Sequence, residues 1–335
     1  METRVTVYYD NTDVTEYIEP YLLSLEYTDV LSGSADSLTL ALEATEAKWF
    51  DTWLPKKGTT LSVSLTSGGE TQDLGSFEVD ELSYSAYPQT LKIKAVSVPY
   101  ASTLRGVEVS KSWEDTTLKT IANDIAEAAE LTLAYSPSDI DIDRAEQTEQ
   151  SDLAFLANLC TEYGLALKIC KGQLVIFDEA DYETADPVAV VVKPFTEYTA
   201  DGDTRYLTDI LSLGITSKVR DIYGSCHVRY QDIKTKTVIE ATYNVGDGRT
   251  LEVNEQVSSY AAALSLAKKR LREKNKDEVT VSVTLVGWVQ LMAGVVLTLS
   301  GFGEFDGDYL VTEATHSVGG GYTVTAELRR CLDGY

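Results

Sequence analysis

Short runs that alternate apolar and polar residues dominate both ends of the chain. An alternation of period two fits only strands that bury one face and expose the other. Residues 4–9, 23–27, 37–42, 60–65, 76–84 and 90–96 carry it. Turn-forming residues separate these runs at Asp10-Asn11, Ser32-Gly33-Ser34, Ser67-Gly68-Gly69 and Tyr87-Pro88. Six short strands at that spacing predict an antiparallel barrel or sandwich. A helical turn is expected at 45–53, where Trp49 and Trp53, four apart, are placed to lid one end.

The period then changes. Leu118, Ile121, Ala122, Ile125 and Ala129 fall at helical spacing and predict a helix over 116–131, with Asp115 as its N-cap. A second helix is expected over 152–163. Ser151 caps it, Asp152 suits its positive end and Gly164 stops it. Its buried stripe is Leu153, Leu156, Leu159 and Cys160. A hairpin follows, with strands at 165–169 and 173–177 about the turn Cys170-Lys171-Gly172.

Strand patterning returns at 209–216, 222–231 and 237–243, and again at 278–285, 295–299, 309–316 and 322–328. Between these sets lies a helix expected at 256–274. Its apolar stripe is Val257, Tyr260, Leu264, Ala267 and Leu271, and Lys268, Lys269, Arg272 and Lys276 make its far face basic. The expected fold class is α+β, mainly β, with two antiparallel β-barrel domains and a small α+β domain between them. The first barrel takes 1–105. The α+β domain takes 106–200, joined by the helical stretch 246–277. The second barrel takes 201–245 and 278–335. The two β domains are not detectable repeats in sequence.

Chemistry finds little purchase. The net charge of −25 argues against a nucleic-acid binder, because phosphate contacts need clustered Lys and Arg. No apolar run reaches the ~18 residues of a membrane span. Cys160, Cys170, Cys226 and Cys331 form no CxxC pair and read as buried, reduced thiols. Asp139, Asp141 and Asp143 alternate, but a calcium loop would want Gly and Glu where Arg144 and Gln150 stand, so a solvated connector is expected. His227 and His316 lie in strands far apart, with no G-x-S-x-G or HExxH motif to support them. The glycines at 301–303 and 319–321 read as turns. The basic run 268–276 is interleaved with Glu273, Asp277 and Glu278 and reads as a helix face docked onto an acidic surface. No catalytic, cofactor-binding or metal-ligating residue is expected, and no cofactor. Tyrosine outnumbers phenylalanine 20 to 7, which suits half-wet strand faces and subunit interfaces.

The stretch 147–177, QTEQSDLAFLANLCTEYGLALKICKGQLVIF, resembles a hallmark of the phage late-control D family of tail hub proteins. That hallmark is an SD-x-x-FL helix, an EYG stop and a G-x-L-x-I hairpin. Trp113-Glu114-Asp115-Thr116-Thr117-Leu118 with Ile121-Ala122 is similar to the family's helix start. Gly287, Gly294, Gly301-Phe302-Gly303, the segment Phe305-Asp306-Gly307-Asp308-Tyr309 and His316 resemble its final barrel. The resemblance implies a structural hub of a phage tail baseplate, or of a related contractile injection particle such as a tailocin, and no enzyme. It implies a homotrimer whose paired barrels make a pseudo-sixfold ring between the hexameric tail tube and the trimeric central spike. Other baseplate proteins and the tape measure protein would be further partners, and assembly would occur in the bacterial cytoplasm. The end of the chain just after its last strand is expected to leave the spike as a separate protein. A tail-tip binding module, with aromatics on loops, and a tail-associated cell-wall hydrolase, with a cleft of convergent acids, are the alternatives.

Overall fold

The computed structural model describes residues 2–98, 104, 106–195, 198, 202, 204–220, 222–231 and 236–335. The expected boundaries at 105 and at 200 and 201 lie outside the described residues. Half of the chain is strand and 18% is helix, as the patterning requires.

The first unit contains β1 (Thr3–Tyr9), β2 (Thr12–Asp13), α1 (Thr15–Ile18), β3 (Leu22–Val30), β4 (Ser37–Glu43), β5 (Thr60–Ser67), β6 (Glu70–Ala86) and β7 (Gln89–Val96). Its strands alternate as the sequence does. In β5, Leu61, Val63 and Leu65 point into the core while Ser62, Ser64 and Thr66 are half-buried on the other face. The turn at 45–53 is a short 3-10 helix, Ala47–Phe50. Trp49 is buried beneath it, with its ring 5.3 Å from that of Trp53.

The α+β unit contains β8 (Val109–Thr117), α2 (Leu118–Ala128), β9 (Thr132–Tyr135), β10 (Asp141–Gln150), α3 (Asp152–Glu162), β11 (Ala166–Cys170), β12 (Gln173–Phe177) and α4 (Glu179–Glu183). The expected cap of the first helix is corrected. Strand β8 runs on to Thr117, whose hydroxyl accepts the Thr120 N–H at 3.3 Å, while Asp115 sits mid-strand with φ of 48°. For α3 the caps are as expected. Ser151 accepts the Ala154 N–H at 3.3 Å, and Gly164 leaves the helix with φ of 65°. The β11–β12 turn is Lys171-Gly172, both at positive φ, as a two-residue hairpin demands. One core gathers both helices against this hairpin, and Trp113 stacks on Phe155 with ring centres 5.0 Å apart.

The remaining elements are β13 (Ala189–Val192), β14 (Tyr206–Leu207), β15 (Ile210–Ser217), β16 (Ser225–Gln231), β17 (Val238–Asn244), β18 (Thr250–Val253), α5 (Tyr260–Asn275), β19 (Val279–Val286), β20 (Val296–Ser300), β21 (Gly307–Val318) and β22 (Tyr322–Arg330). Strand pairing divides the stretch 201–245. β15 joins the second β unit through β19, whereas β16 and β17 pair with each other and with β18, under α5. The reason is local: Cys226, Val228, Ala241, Ala263, Ala267 and Leu271 close a small core of their own. Tyr260, expected in the buried stripe, opens α5 and is exposed. The stripe is Ala263, Ala267, Leu271 and Asn275.

The two β units share an order that the sequence conceals. Strands β5-β6-β7-β4-β3 lie side by side in the first, and β20-β21-β22-β19-β15 in the second, every neighbour antiparallel. Even the irregularities match. β6 is bulged against β7 between Val79 and Glu81, and β21 against β22 between Val311 and Glu313. β3 is bulged between Leu22 and Ser24, and β15 between Ile210 and Ser212. Val79 bonds Thr59 and Gly58 through its backbone, as Val311 bonds Val295 and Gly294. Bulges are positioned features of a fold, not noise, so these coincidences mark an internal structural repeat.

The units are fused rather than closed. The first half of β21 pairs with β20, and its second half pairs on the same side with β3, Glu313↔Val30 through Val318↔Leu25. A single fourteen-stranded sheet results. Among the described residues its ends do not pair with each other, so two closed barrels are not formed. β13 also runs parallel to β20 and to β14, so the sheet is not wholly antiparallel.

Candidate functional site

The residues that sequence reading set aside as chemistry are dispersed and individually occupied. Asp139 accepts the backbone N–H groups of Lys119 and Ile140, at 3.2 and 3.0 Å, and Asp141 opens β10. No cluster able to hold a metal ion occurs among the described residues. Burial pushes the thiols up, Cys160 and Cys331 to about 12 and Cys226 to about 11, so they stay protonated. His227 lies on β16, with Nδ1 2.8 Å from a carboxylate oxygen of Glu252.

His316 is fully buried on β21, at the seam between the units. Its Nε2 donates to the Leu291 carbonyl at 2.9 Å, because a carbonyl can only accept. Its Nδ1 therefore accepts the Tyr322 hydroxyl at 2.7 Å. The Tyr322 ring in turn covers Gly287, where a Cβ would lie 2.0 Å from it. Burial holds the imidazole down at about 4, against an ordinary value of 6.5. The unfolded chain binds this proton first as pH falls. The contribution of His316 to stability is thus complete above pH 6.5 and lost progressively down to about 4, by roughly 3 kcal/mol in all. Urea midpoints of the wild type and His316→Gln at pH 7.5 and 4.5 check this. The wild type is expected to lose more stability than the variant across that interval, and parallel losses would refute it.

Two buried charge clusters join the α+β unit to the sheet. In the first, Lys168 of β11 pairs with Asp29 of β3, lies 3.2 Å from Asp36 and donates to the Val30 carbonyl at 2.8 Å. Asp29 also accepts the Ala293 N–H at 2.8 Å, and Asp36 the Val30 N–H at 3.0 Å. Burial raises Asp36 to about 6, against the pull of Lys168. In the second, Glu183 of α4 bonds Arg272 of α5 and Arg329 of β22, and accepts the Leu332 N–H at 2.9 Å. Glu179 meets Arg329 at 2.9 Å, Lys276 at 3.5 Å and the Ser32 hydroxyl at 2.9 Å. Burial alone would raise the Glu179 carboxyl. The charges of Lys276 and Arg329, with the Ser32 hydrogen bond, hold it below its ordinary value. The basic face of α5 is thus docked onto an acidic surface of the same chain. Lys269 completes it by donating to the Tyr163 carbonyl at 2.6 Å.

What remains for function is surface. At one end of the first unit a cavity of about 310 Å³ is lined by Tyr17, Ile18, Trp49, Trp53, Leu54 and their neighbours. Lys48 lies 4.2 and 4.1 Å above the rings of Tyr21 and Trp53. Among the described residues, the unpaired strand edges of the large sheet include one on β6 and one on β15. Beyond Glu78, which pairs with the first residue of β5, residues 81–86 of β6 have β7 on one side and no described strand on the other. β15 pairs, among the described residues, with β19. Sequence reading placed these strands but could not see that they were edges, since an edge is defined by what does not pair with it.

Two buried ion clusters that join the parts of the chain, beside strand edges and aromatic surface left exposed, describe a subunit built for assembly. Comparison with known proteins agrees. Residues 58–322 match the phage tail baseplate hub (GPD) family, and the chain belongs to that family. It is similar to a probable baseplate hub protein of Escherichia phage 186, with 24% identity over 356 residues, covering 95% of this chain and 90% of that one. Its fold is similar to that of the 43 kDa tail protein of prophage MuSo2 from Shewanella oneidensis, with a TM-score of 0.71, 14% identity and coverage of 98% and 99%. It is also similar in fold to an Escherichia coli component of the type VI secretion system, with a TM-score of 0.60, 12% identity and coverage of 100% and 78%. The protein is a structural component of a phage tail baseplate hub. No helix among the described residues is long and apolar enough to cross a membrane.

Proposed function

We propose that three copies of the chain form a ring that joins a hexameric tail tube to a trimeric central spike. The observation that carries this is the internal repeat. Two like-ordered β units in one chain become six in a trimer, so one face of such a ring offers sixfold features while the assembly keeps threefold symmetry. The tail tube, the spike, other baseplate proteins and the tape measure protein are the partners on this reading, with assembly in the host cytoplasm. The net charge of −25 suits a passage that lets nucleic acid slide rather than holding it.

Light scattering on a sizing column tests it. A species near three times 36.8 kDa is expected. A hexamer would point instead to a tube-like ring, and a monomer at every concentration would count against the ring.

A further inference from the structure

We infer that residues 81–86 of β6 pair with β15 of a second copy, in the register by which β21 pairs with β3 inside one chain. This rests on the ring reading above and names its interface.

The internal repeat supplies the template. Counting back from the hairpin ends, Ala86 and Val318, the bulges of β6 and β21 fall at the same place, so Glu81 to Ala86 correspond to Glu313 to Val318. Aligning the bulges of β3 and β15 makes Leu25 to Val30 correspond to Leu213 to Lys218. Within the chain, β21 and β3 are joined. Their counterparts, β6 beyond residue 80 and β15, each lack a partner among the described residues on the side where that joint would form. A joint that links unit two to unit one inside the chain, and unit one to unit two of the next copy, is head-to-tail. Repeated with a rotation of one sixth of a turn per unit, such a joint closes the ring of six units proposed above.

Transferring the register gives pairs that the alignment did not select for. Glu313↔Val30 becomes Glu81↔Lys218, opposite charges across the joint. Thr315↔Thr28, whose hydroxyls lie 3.1 Å apart, becomes Ser83↔Thr216, again two hydroxyls. His316↔Tyr27, both buried, becomes Tyr84↔Ile215, with Tyr84 44% exposed against Phe50 and Ile215 half-buried at the edge of its core. One step further, Leu31 is buried at 4%, and its counterpart Val219 is 88% exposed. At these two positions the residues buried inside the chain, His316 and Leu31, have counterparts, Tyr84 and Val219, that are exposed. Apart from Glu81, the segment 81–86 carries no charge, and neither does β15. A chain of net charge −25 needs such stretches to approach its own copy. The edge also lacks the inward charges that keep exposed edges apart.

The test uses the full chain with one cysteine added per variant, Ser83→Cys and Thr216→Cys, both at exposed positions. Each is purified, and the two are mixed, oxidised and compared with each alone and with the wild type on non-reducing gels, beside light scattering. The inference expects a two-chain adduct in the mixture only. In the double variant it expects linked trimers. An adduct formed by either single variant alone would mean a different contact and overturn it. A trimer mass without adduct would overturn the edge pairing and leave the ring standing. A monomer mass without adduct would overturn both.

Discussion

Leu156→Asp is expected to abolish soluble expression. Leu156 is fully buried on α3, in the core that holds α2, Trp113, Phe155 and the β11–β12 hairpin together. A carboxylate there finds no cation, and an unpaired buried charge costs several kcal/mol or forces the group neutral at similar expense. Leu156→Ala separates chemistry from packing. It removes the side chain without adding charge and should cost about 2–5 kcal/mol, with much of the variant still folded. Soluble yield and urea midpoints read both. Wild-type yield of Leu156→Asp would mean that α3 does not carry this core.

Arg329→Leu is expected to destabilise the protein by about 3–5 kcal/mol, because removing one partner of a buried ion cluster strands the others. Arg329 is 1% exposed and answers both Glu179 and Glu183. Without it, Glu183 keeps Arg272 and Glu179 keeps Lys276, but each buried carboxylate loses a charged hydrogen-bond donor that water cannot replace. The loss is expected to appear as a lower urea midpoint together with earlier proteolysis near α4. An unchanged midpoint for Arg329→Leu would show that the cluster does not hold the α+β unit to the sheet.

The elements that were legible are those whose burial is periodic. β5, β7, α3 and the β11–β12 hairpin each carry their own pattern, caps or turn residues, so sequence reading placed them within a residue or two. The β8–β10 ribbon was not legible. Its strands read VSKSWEDTT and DIDRAEQTEQ, mostly polar, with only Trp113, Ile142 and Ala145 reaching the core, too few to show a period of two. Missing β8 is also what displaced the α2 cap from Thr117 to Asp115. α4, five residues long, is shorter than any window in which periodicity can be counted. The basic face of α5 was legible as a docking face. Its partners Glu179 and Glu183 were not, because the sequence holds 53 acidic residues and no sign of which ones meet it.

By itself, then, the sequence determined the mainly β class, the position of most strands and three of the helices, and, through three local motifs, the family. All of these are written in near neighbours along the chain, where spacing of 2 or 3.6 residues decides what is buried. Only the tertiary structure decided that the two β units share one order, that β21 fuses them into a single sheet, that β16 and β17 leave for a core of their own, and which edges stay open. Pairing between strands as distant as β3 and β21 depends on backbone hydrogen bonds common to every residue, so side-chain pattern cannot announce the partner.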